Sequence, residues 1–223
     1  MPKTKTLVKI CGITSKEQAI QIAELGTDAI GIISVEESPR YISNENKKAI
    51  FNILEVSYPK IERVSVYKNC PIDQIINNFL AIPNETIIQL HGDEDIAYCK
   101  KIKKEIPNVG LWKAFRIKKK SDLEKVKPYE SFIDAILLDS WNEETYGGSG
   151  KRIKSNYLSN VKFTKPWWLA GGISIDWIDE IQRVIKPDGI DISSKIEIAP
   201  GIKDLKKTKN IINYINQCNF NNC

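Results

Sequence analysis

Cys11 stands at the end of an apolar run, LVKIC (7–11), with Gly12 directly behind it. A thiol there either packs as a small hydrophobe or, ahead of a helix N-terminus that can lower its pKa from about 8.5, serves as a base or nucleophile. Asp139 closes AILLD (135–139), a run so apolar that a carboxylate at its end must face a loop or a cavity. It could cap a helix or bond a loop, or pair with the thiol as the other member of an acid/base couple. His91, the single histidine, follows TIIQL (86–90) and reads equally as a structural residue or a substrate contact. One histidine cannot build a multi-His metal site, and no metal is expected.

Arg40 in SPRYIS is either a surface loop arginine or a planar fork for a substrate carboxylate. Gly171 and Gly172 in LAGGIS, with Ser193 and Ser194 in DISSK, suggest an anion site, because glycines let backbone N–H groups approach a phosphate. YGGSGK (146–151) lacks the GxxxxGK[ST] spacing of a nucleotide loop and reads as a mobile lid or loop near the site. Cys70, Cys99, Cys218 and Cys223 fall on expected helices or in the tail and read as inert thiols; Trp167 and Trp168 read as packing.

These residues need strands to hold them. Eight short Val/Ile/Leu-rich runs recur along the chain, at 7–11, 29–33, 63–67, 86–90, 111–115, 135–139, 167–170 and 189–193. Helix signals lie between them. Ser15 with Gln18, or Thr14 with Glu17, has capping-box spacing, and Ala19, Ile22 and Ala23 follow on one face. Ser43 precedes a stripe of Ala49, Ile50, Ile53 and Leu54, and Ser174 one of Trp177, Ile178, Ile181, Val184 and Ile185. The segment 151–163 is the weakest helix. A last helix is expected over about 203–216, with 217–223 as a frayed polar tail.

Strict alternation of strands and helices implies a parallel sheet, and eight such units closing on themselves make a (β/α)8 TIM barrel of class α/β. An open doubly wound sheet would announce a glycine-rich dinucleotide loop after its first strand, and CGITS is not one. No linker or low-complexity tract interrupts the pattern, so residues 1–223 are expected to form one domain. In such a barrel, catalytic groups sit at the C-terminal strand ends, where Cys11, Arg40, His91, Asp139, Gly171, Gly172, Asp191, Ser193 and Ser194 all fall.

Composition narrows the partners. Lys plus Arg number 33 against 28 Asp plus Glu, a net charge of +5. The lysines fall mostly on expected helix faces, which is ordinary solvation with a lean toward anionic small molecules and away from nucleic acid. The five cysteines show no CxxC pair, as in a reduced, cytoplasmic chain. The apolar stretch after MPKTKT is too short for a signal-peptide core or a membrane span.

The motifs KICGIT, SPRYIS, IIQLHGDE, LLDS, GGSGK, LAGGIS and DGIDISS...E..PGIKD, in this order and over nearly the whole chain, resemble the phosphoribosylanthranilate isomerase family of tryptophan biosynthesis. The resemblance implies a cofactor-independent Amadori rearrangement of a small phosphosugar substrate, with Cys11 as general base and Asp139 as general acid. By the same similarity Arg40 would hold the anthranilate carboxylate, His91 line the site, Asp191 contact the reacting sugar, and Gly171, Gly172, Ser193 and Ser194 bind the phosphate. A monomer or a homodimer is expected, without membrane attachment. Two departures stand out: VSVY where the family usually has VGVF, and Lys195 where SSGVE has glycine. Lys195 is expected either to strain that turn, if the glycine normally has φ > 0, or to point outward or toward the anion. The alternatives are another phosphosugar barrel enzyme, such as a lyase or epimerase, and a non-catalytic phosphate binder. The first would place lysines, carboxylates or metal ligands at strand ends, and the second has only Lys195 in its favour.

Overall fold

All eight apolar runs become strands of one closed, wholly parallel barrel: β1 (Leu7–Cys11), β2 (Ala29–Ile33), β3 (Glu62–Tyr67), β4 (Ile87–Leu90), β5 (Gly110–Ile117), β6 (Ala135–Ser140), β7 (Trp167–Leu169) and β8 (Gly189–Ile192). Closure comes from β1, which pairs with β2 on one side and β8 on the other. The structure, a computed structural model, describes residues 5–140 and 152–220. The YGGSGK loop therefore lies outside the described residues, as does Cys223.

Strand alternation divides each run between two cores. Ala29, Val64, Val66, Ile87, Ala114, Leu137 and Ala170 fill the barrel, over a floor where the rings of Trp112 and Trp168 meet at 4.7 Å. Ile10, Ile30, Ile88, Leu111, Ile136 and Ile190 point the other way, into the layer beneath the helices. Trp167 faces this outer layer, edge-on to Phe163. Both tryptophans of the pair are packing residues, as expected.

The early helices are α1 (Lys16–Glu24), α2 (Asn44–Ser57), α3 (Ile72–Ala81) and α4 (Ile96–Glu105). Ser15, Ser43 and Asp95 cap α1, α2 and α4 by accepting from the backbone N–H three residues on. Past β5 the pattern loosens. Two 3-10 segments, Lys120–Lys125 and Lys127–Phe132, stand where a helix would follow, the second with Pro128 near its start. The weak 151–163 segment holds a single turn, α5 (Ser155–Leu158), because Ile153 and Leu158 are its only fully buried apolar residues.

The expected helix after Ser174 is a composite of 3-10 (Ile175–Trp177), α6 (Ile178–Glu180) and a π-turn (Ile181–Ile185). The wider π-turn rotates Val184 out of the expected stripe to 46 % exposure, while Trp177, Ile178, Ile181 and Ile185 stay buried. After β8 comes a small antiparallel hairpin that the sequence reading missed, β9 (Glu197–Ala199) with β10 (Ile202–Lys203). The last helix, α7 (Leu205–Phe220), runs past the expected end at residue 216 because Cys218 is buried against the fold. Residues 217–220 of the expected frayed tail are helical, and 221–223 lie outside the described residues. Cys70 also differs from expectation: it sits in the loop before α3, not on a helix. No helix among the described residues is long and apolar enough to cross a membrane.

Candidate active site

A cavity of about 490 Å³ opens at the C-terminal ends of the strands and is lined by every site candidate: Cys11, Arg40, His91, Asp139, Gly171, Gly172, Asp191, Ser193 and Ser194. Cys11 ends β1 and Asp139 lies one residue before the end of β6, with β7 and β8 between them on the rim. Both point into the barrel because they fall on the inward phase of their strands.

Asp139 is fixed by two contacts. The Ser140 backbone N–H gives to Oδ1 at 2.7 Å, and His91 Nε2 lies 3.1 Å from Oδ2. His91 is held in turn by Gln89, whose amide nitrogen is 2.9 Å from Nδ1. Gly171, at φ +86°, carries the loop after β7 so close that a Cβ there would stand 2.8 Å from Asp139 Oδ1. A side chain would therefore push the acid out of place as well as strain the turn.

The surroundings of Cys11 correct one expectation. The thiol is not lowered: burial pushes it above its ordinary value, against the pull of the Lys9 and Lys203 ammoniums, and Asp191 adds to the rise. In the free protein it rests as the thiol. Lys9 is fully buried inside the barrel and bonds Asp191 Oδ2 at 3.0 Å. Burial pulls Lys9 down, but Asp191 and Cys11 outweigh it and hold the ammonium above its ordinary range. A Cβ on Gly31 would lie 2.7 Å from Cys11 Sγ and 3.0 Å from Lys9 Nζ, so the two groups share the space that this glycine leaves. Asp191 Oδ1, also buried, has no hydrogen-bond partner among the described residues and is available to a ligand hydroxyl.

Arg40 is already engaged. Its Nε and Nη2 form a fork on Glu197 at 2.9 and 2.6 Å, leaving the edge through Nη1 for a ligand carboxylate. Glu197 also takes Lys203 at 2.7 Å, and although burial works against its charge, these two cations hold its carboxyl below the usual range. Lys203 further donates to the Cys11 carbonyl, as does the Ser193 hydroxyl at 2.9 Å. Ser193 thus spends its proton on β1, and an anion would meet its backbone N–H, not its hydroxyl. Gly172, at φ +66°, turns the chain beside it.

Lys195 sits exposed at the cavity mouth, in the 3-10 turn Ser194–Ile196. Asn69 and Lys186 are the only non-glycine residues with positive φ among those described, so the strain envisaged for Lys195 is absent. Lys9, Gln89, Glu197 and Lys203 were missed as site residues; the signals were a lysine inside an apolar strand, two residues before Cys11, and charges within and just ahead of the PGIKD motif. Lysines are also not all solvated on helix faces, since Lys9, Lys47, Lys113 and Lys203 are buried. No group of three or more His, Cys, Asp or Glu among the described residues could hold a metal ion.

Comparison with known proteins matches residues 8–214 to the family model for N-(5'phosphoribosyl)anthranilate (PRA) isomerase. The N-(5'-phosphoribosyl)anthranilate isomerase of Acaryochloris marina is 36 % identical over 211 residues, 93 % of this chain and 97 % of that protein. The crystal structure of the Thermotoga maritima enzyme superposes with a TM-score of 0.83 at 31 % identity, covering 95 % of this chain and 99 % of its own. A phosphoribosyl anthranilate isomerase solved with reduced 1-(o-carboxyphenylamino)-1-deoxyribulose 5-phosphate gives 0.78 at 30 % identity, with the same coverage.

Proposed function

The chain belongs to the N-(5'-phosphoribosyl)anthranilate isomerase family, and from that premise we propose that Cys11 and Asp139 are the base and the acid of its reaction. The enzyme is an isomerase of tryptophan biosynthesis that converts N-(5-phospho-β-D-ribosyl)anthranilate to 1-(2-carboxyphenylamino)-1-deoxy-D-ribulose 5-phosphate. One observation carries the assignment: a thiol and a carboxyl face a single cavity from separate strands, each with charged or hydrogen-bonding groups that bear on its proton.

Asp139 gives its proton to the ring oxygen as the C1–O bond breaks and the anilino nitrogen lone pair forms the C1=N iminium. Cys11, as thiolate, then takes the proton from C2, and the C–H electrons flow to nitrogen to leave the enolamine. The keto product forms when the C2 hydroxyl loses its proton and C1 gains one. C2 is oxidised and C1 reduced within the one substrate, so there is no net redox change and the reaction calls for no cofactor.

The thiolate is the minor form in the free protein, and the Lys9 and Lys203 ammoniums lower the cost of making it. Arg40, through the edge not held by Glu197, takes the anthranilate carboxylate. Asp191 Oδ1 accepts from a sugar hydroxyl. The backbone N–H groups of Gly171, Gly172, Ser193 and Ser194 receive the phosphate, and His91 supports Asp139. We assign residues 1–223 to one domain acting in the cytoplasm as a monomer or homodimer; the barrel, which uses strands from Leu7 to Ile192, supports the single domain.

Loss of phosphoribosylanthranilate fluorescence with purified protein tests the roles. Cys11→Ala and Asp139→Asn are each expected to lower kcat by about 10²- to 10⁴-fold. Full activity in either variant would remove that residue from the mechanism.

A further inference from the structure

Gln89 is a costly residue where it stands. It is 1 % exposed on β4, two residues after the barrel-lining Ile87 and in register with Val66. Its Oε1 has no hydrogen-bond partner among the described residues, and its amide nitrogen bonds one side chain, His91 Nδ1 at 2.9 Å. A buried carbonyl without a donor opposes folding, so a leucine of similar size would serve the packing better. The amide makes sense through what it does to the imidazole.

We propose that Gln89 is a positioning residue for the reaction: by donating to Nδ1 it keeps His91 neutral and in the Nε2–H form, so that the imidazole donates to Asp139 Oδ2. This rests on the reading of Asp139 as the acid.

The imidazole offers two nitrogens, and the neutral ring carries one proton. An amide N–H aimed at Nδ1 needs the lone pair there, which bars a proton from that nitrogen. The ring proton then sits on Nε2, 3.1 Å from Asp139 Oδ2. Two consequences follow for the acid. A second ring proton would make an imidazolium, whose charge would hold Asp139 ionised before substrate arrives and leave it no proton to give. With His91 neutral, no such charge stands beside the acid. As its proton leaves for the ring oxygen, the forming carboxylate meets donors already in place, Nε2–H at Oδ2 and the Ser140 N–H at Oδ1. The charged groups nearby have other bonds: Arg116, opposite Asp139 in the β5–β6 register, holds Asp93, Lys113 of β5 holds Glu94, and Asp191 of β8 holds Lys9. Lys68, Glu37, Arg40 and Lys195 line the rest of the cavity wall.

His91 is the chain's only histidine, so its ring nitrogens are the sole imidazole signals in a tag-free, ¹⁵N-labelled sample. Long-range ¹H–¹⁵N spectra of the wild-type protein near neutral pH are expected to show a neutral Nε2–H ring. In Gln89→Leu the freed Nδ1 should gain proton occupancy, and kcat should fall roughly tenfold at nearly constant KM, the effect of weakening one bond to a charged group. Gln89→Glu, which can only accept at Nδ1, should drive the ring to the imidazolium and cost more than Gln89→Leu. An Nδ1–H or cationic ring in the wild type overturns the proposal without any variant; so does a Gln89→Leu protein whose ring spectrum and kcat match the wild type. Asp139→Asn separates the two ideas. Full activity there removes the acid role itself, whereas an inactive Asp139→Asn beside a wild-type ring in the wrong form removes only the role of Gln89.

Discussion

Four lysine–carboxylate pairs are buried among the described residues, and two of them behave in opposite ways. At the barrel mouth Lys9 meets Asp191 at 3.0 Å, and the lysine is held above its ordinary range. Behind the barrel wall Lys47 of α2 stands 3.9 Å from Glu85, with both side chains fully buried. There burial prevails: Lys47 is pulled down and Glu85 pushed up to about 7. Neither Glu85 oxygen accepts a close hydrogen bond, while Lys47 turns its ammonium to Ser34 Oγ and the Tyr67 hydroxyl, each at 3.0 Å. Taking a charge out of water costs several kcal/mol per ion, and only short, hydrogen-bonded contact offsets it. The lysine held above its ordinary range is the one beside Cys11, where the reaction needs a cation. The pair whose charged forms burial disfavours lies outside the catalytic cavity.

Removing the Lys9 charge breaks the comparison most directly. Lys9→Met takes away an ammonium that opposes the burial of Cys11, so the thiol rises further and the thiolate fraction at a given pH falls. Activity at pH 7.5 should drop about ten- to a hundredfold, since a thiol whose pKa climbs by one carries about tenfold less thiolate. The loss should shrink as pH increases, because alkali restores the thiolate. A pH–rate profile parallel to the wild type, merely lower, would mean that Lys9 acts through Asp191 alone.

The comparison also marks what could be read from the sequence. The strands were legible because each is a short apolar run between helix signals, and the site was legible because strand ends in a barrel form one rim. Lys9 was legible too, in principle: in LVKIC it shares a face with Cys11 at i, i+2. Lys47 was not. It lies beside the expected Ala49–Ile50 stripe, and only the packing of α2 against β3 turns it inward. The clasp of Arg40 on Glu197 joins residues 157 apart and exists only once the barrel closes. The 3-10 and π segments escaped for the reverse reason, since they are local departures in hydrogen bonding that an apolar stripe does not encode.

The second pair is tested through stability, because no step of the reaction uses it. Glu85 holds its proton up to about 7 in the folded protein against 4.5 ordinarily, so between these values the folded state binds a proton that the unfolded chain has released. Its contribution is therefore complete below about pH 4.5 and is lost as pH rises through 7. The loss amounts to about 3 kcal/mol at most. Urea unfolding of the wild type at pH 5 and pH 8 should show a fall on this account that Glu85→Gln lacks, with activity unchanged. Equal pH dependence in both proteins would mean that Glu85 keeps its charge on folding, and the contrast with the pair at Lys9 would disappear.

The smallest effect belongs to a lysine that escaped burial. Lys195 stands at the same mouth as Lys9, but in solvent, where an ion contact is screened and worth only about 0.2–1 kcal/mol. Its φ is not positive, so glycine at this position relieves no strain and any change reports the ammonium itself. If that ammonium meets the substrate phosphate, Lys195→Gly should raise KM by roughly two- to fivefold at unchanged kcat, the range that such a contact allows. The difference should vanish in high salt, where exposed charges are screened within about 3 Å at 1 M. An unchanged KM at low salt would place the phosphate wholly on the backbone donors of Gly171, Gly172, Ser193 and Ser194. The sensitivity to Lys9 would then show that, at this mouth, a lysine's charge matters to the reaction only where burial keeps water from screening it.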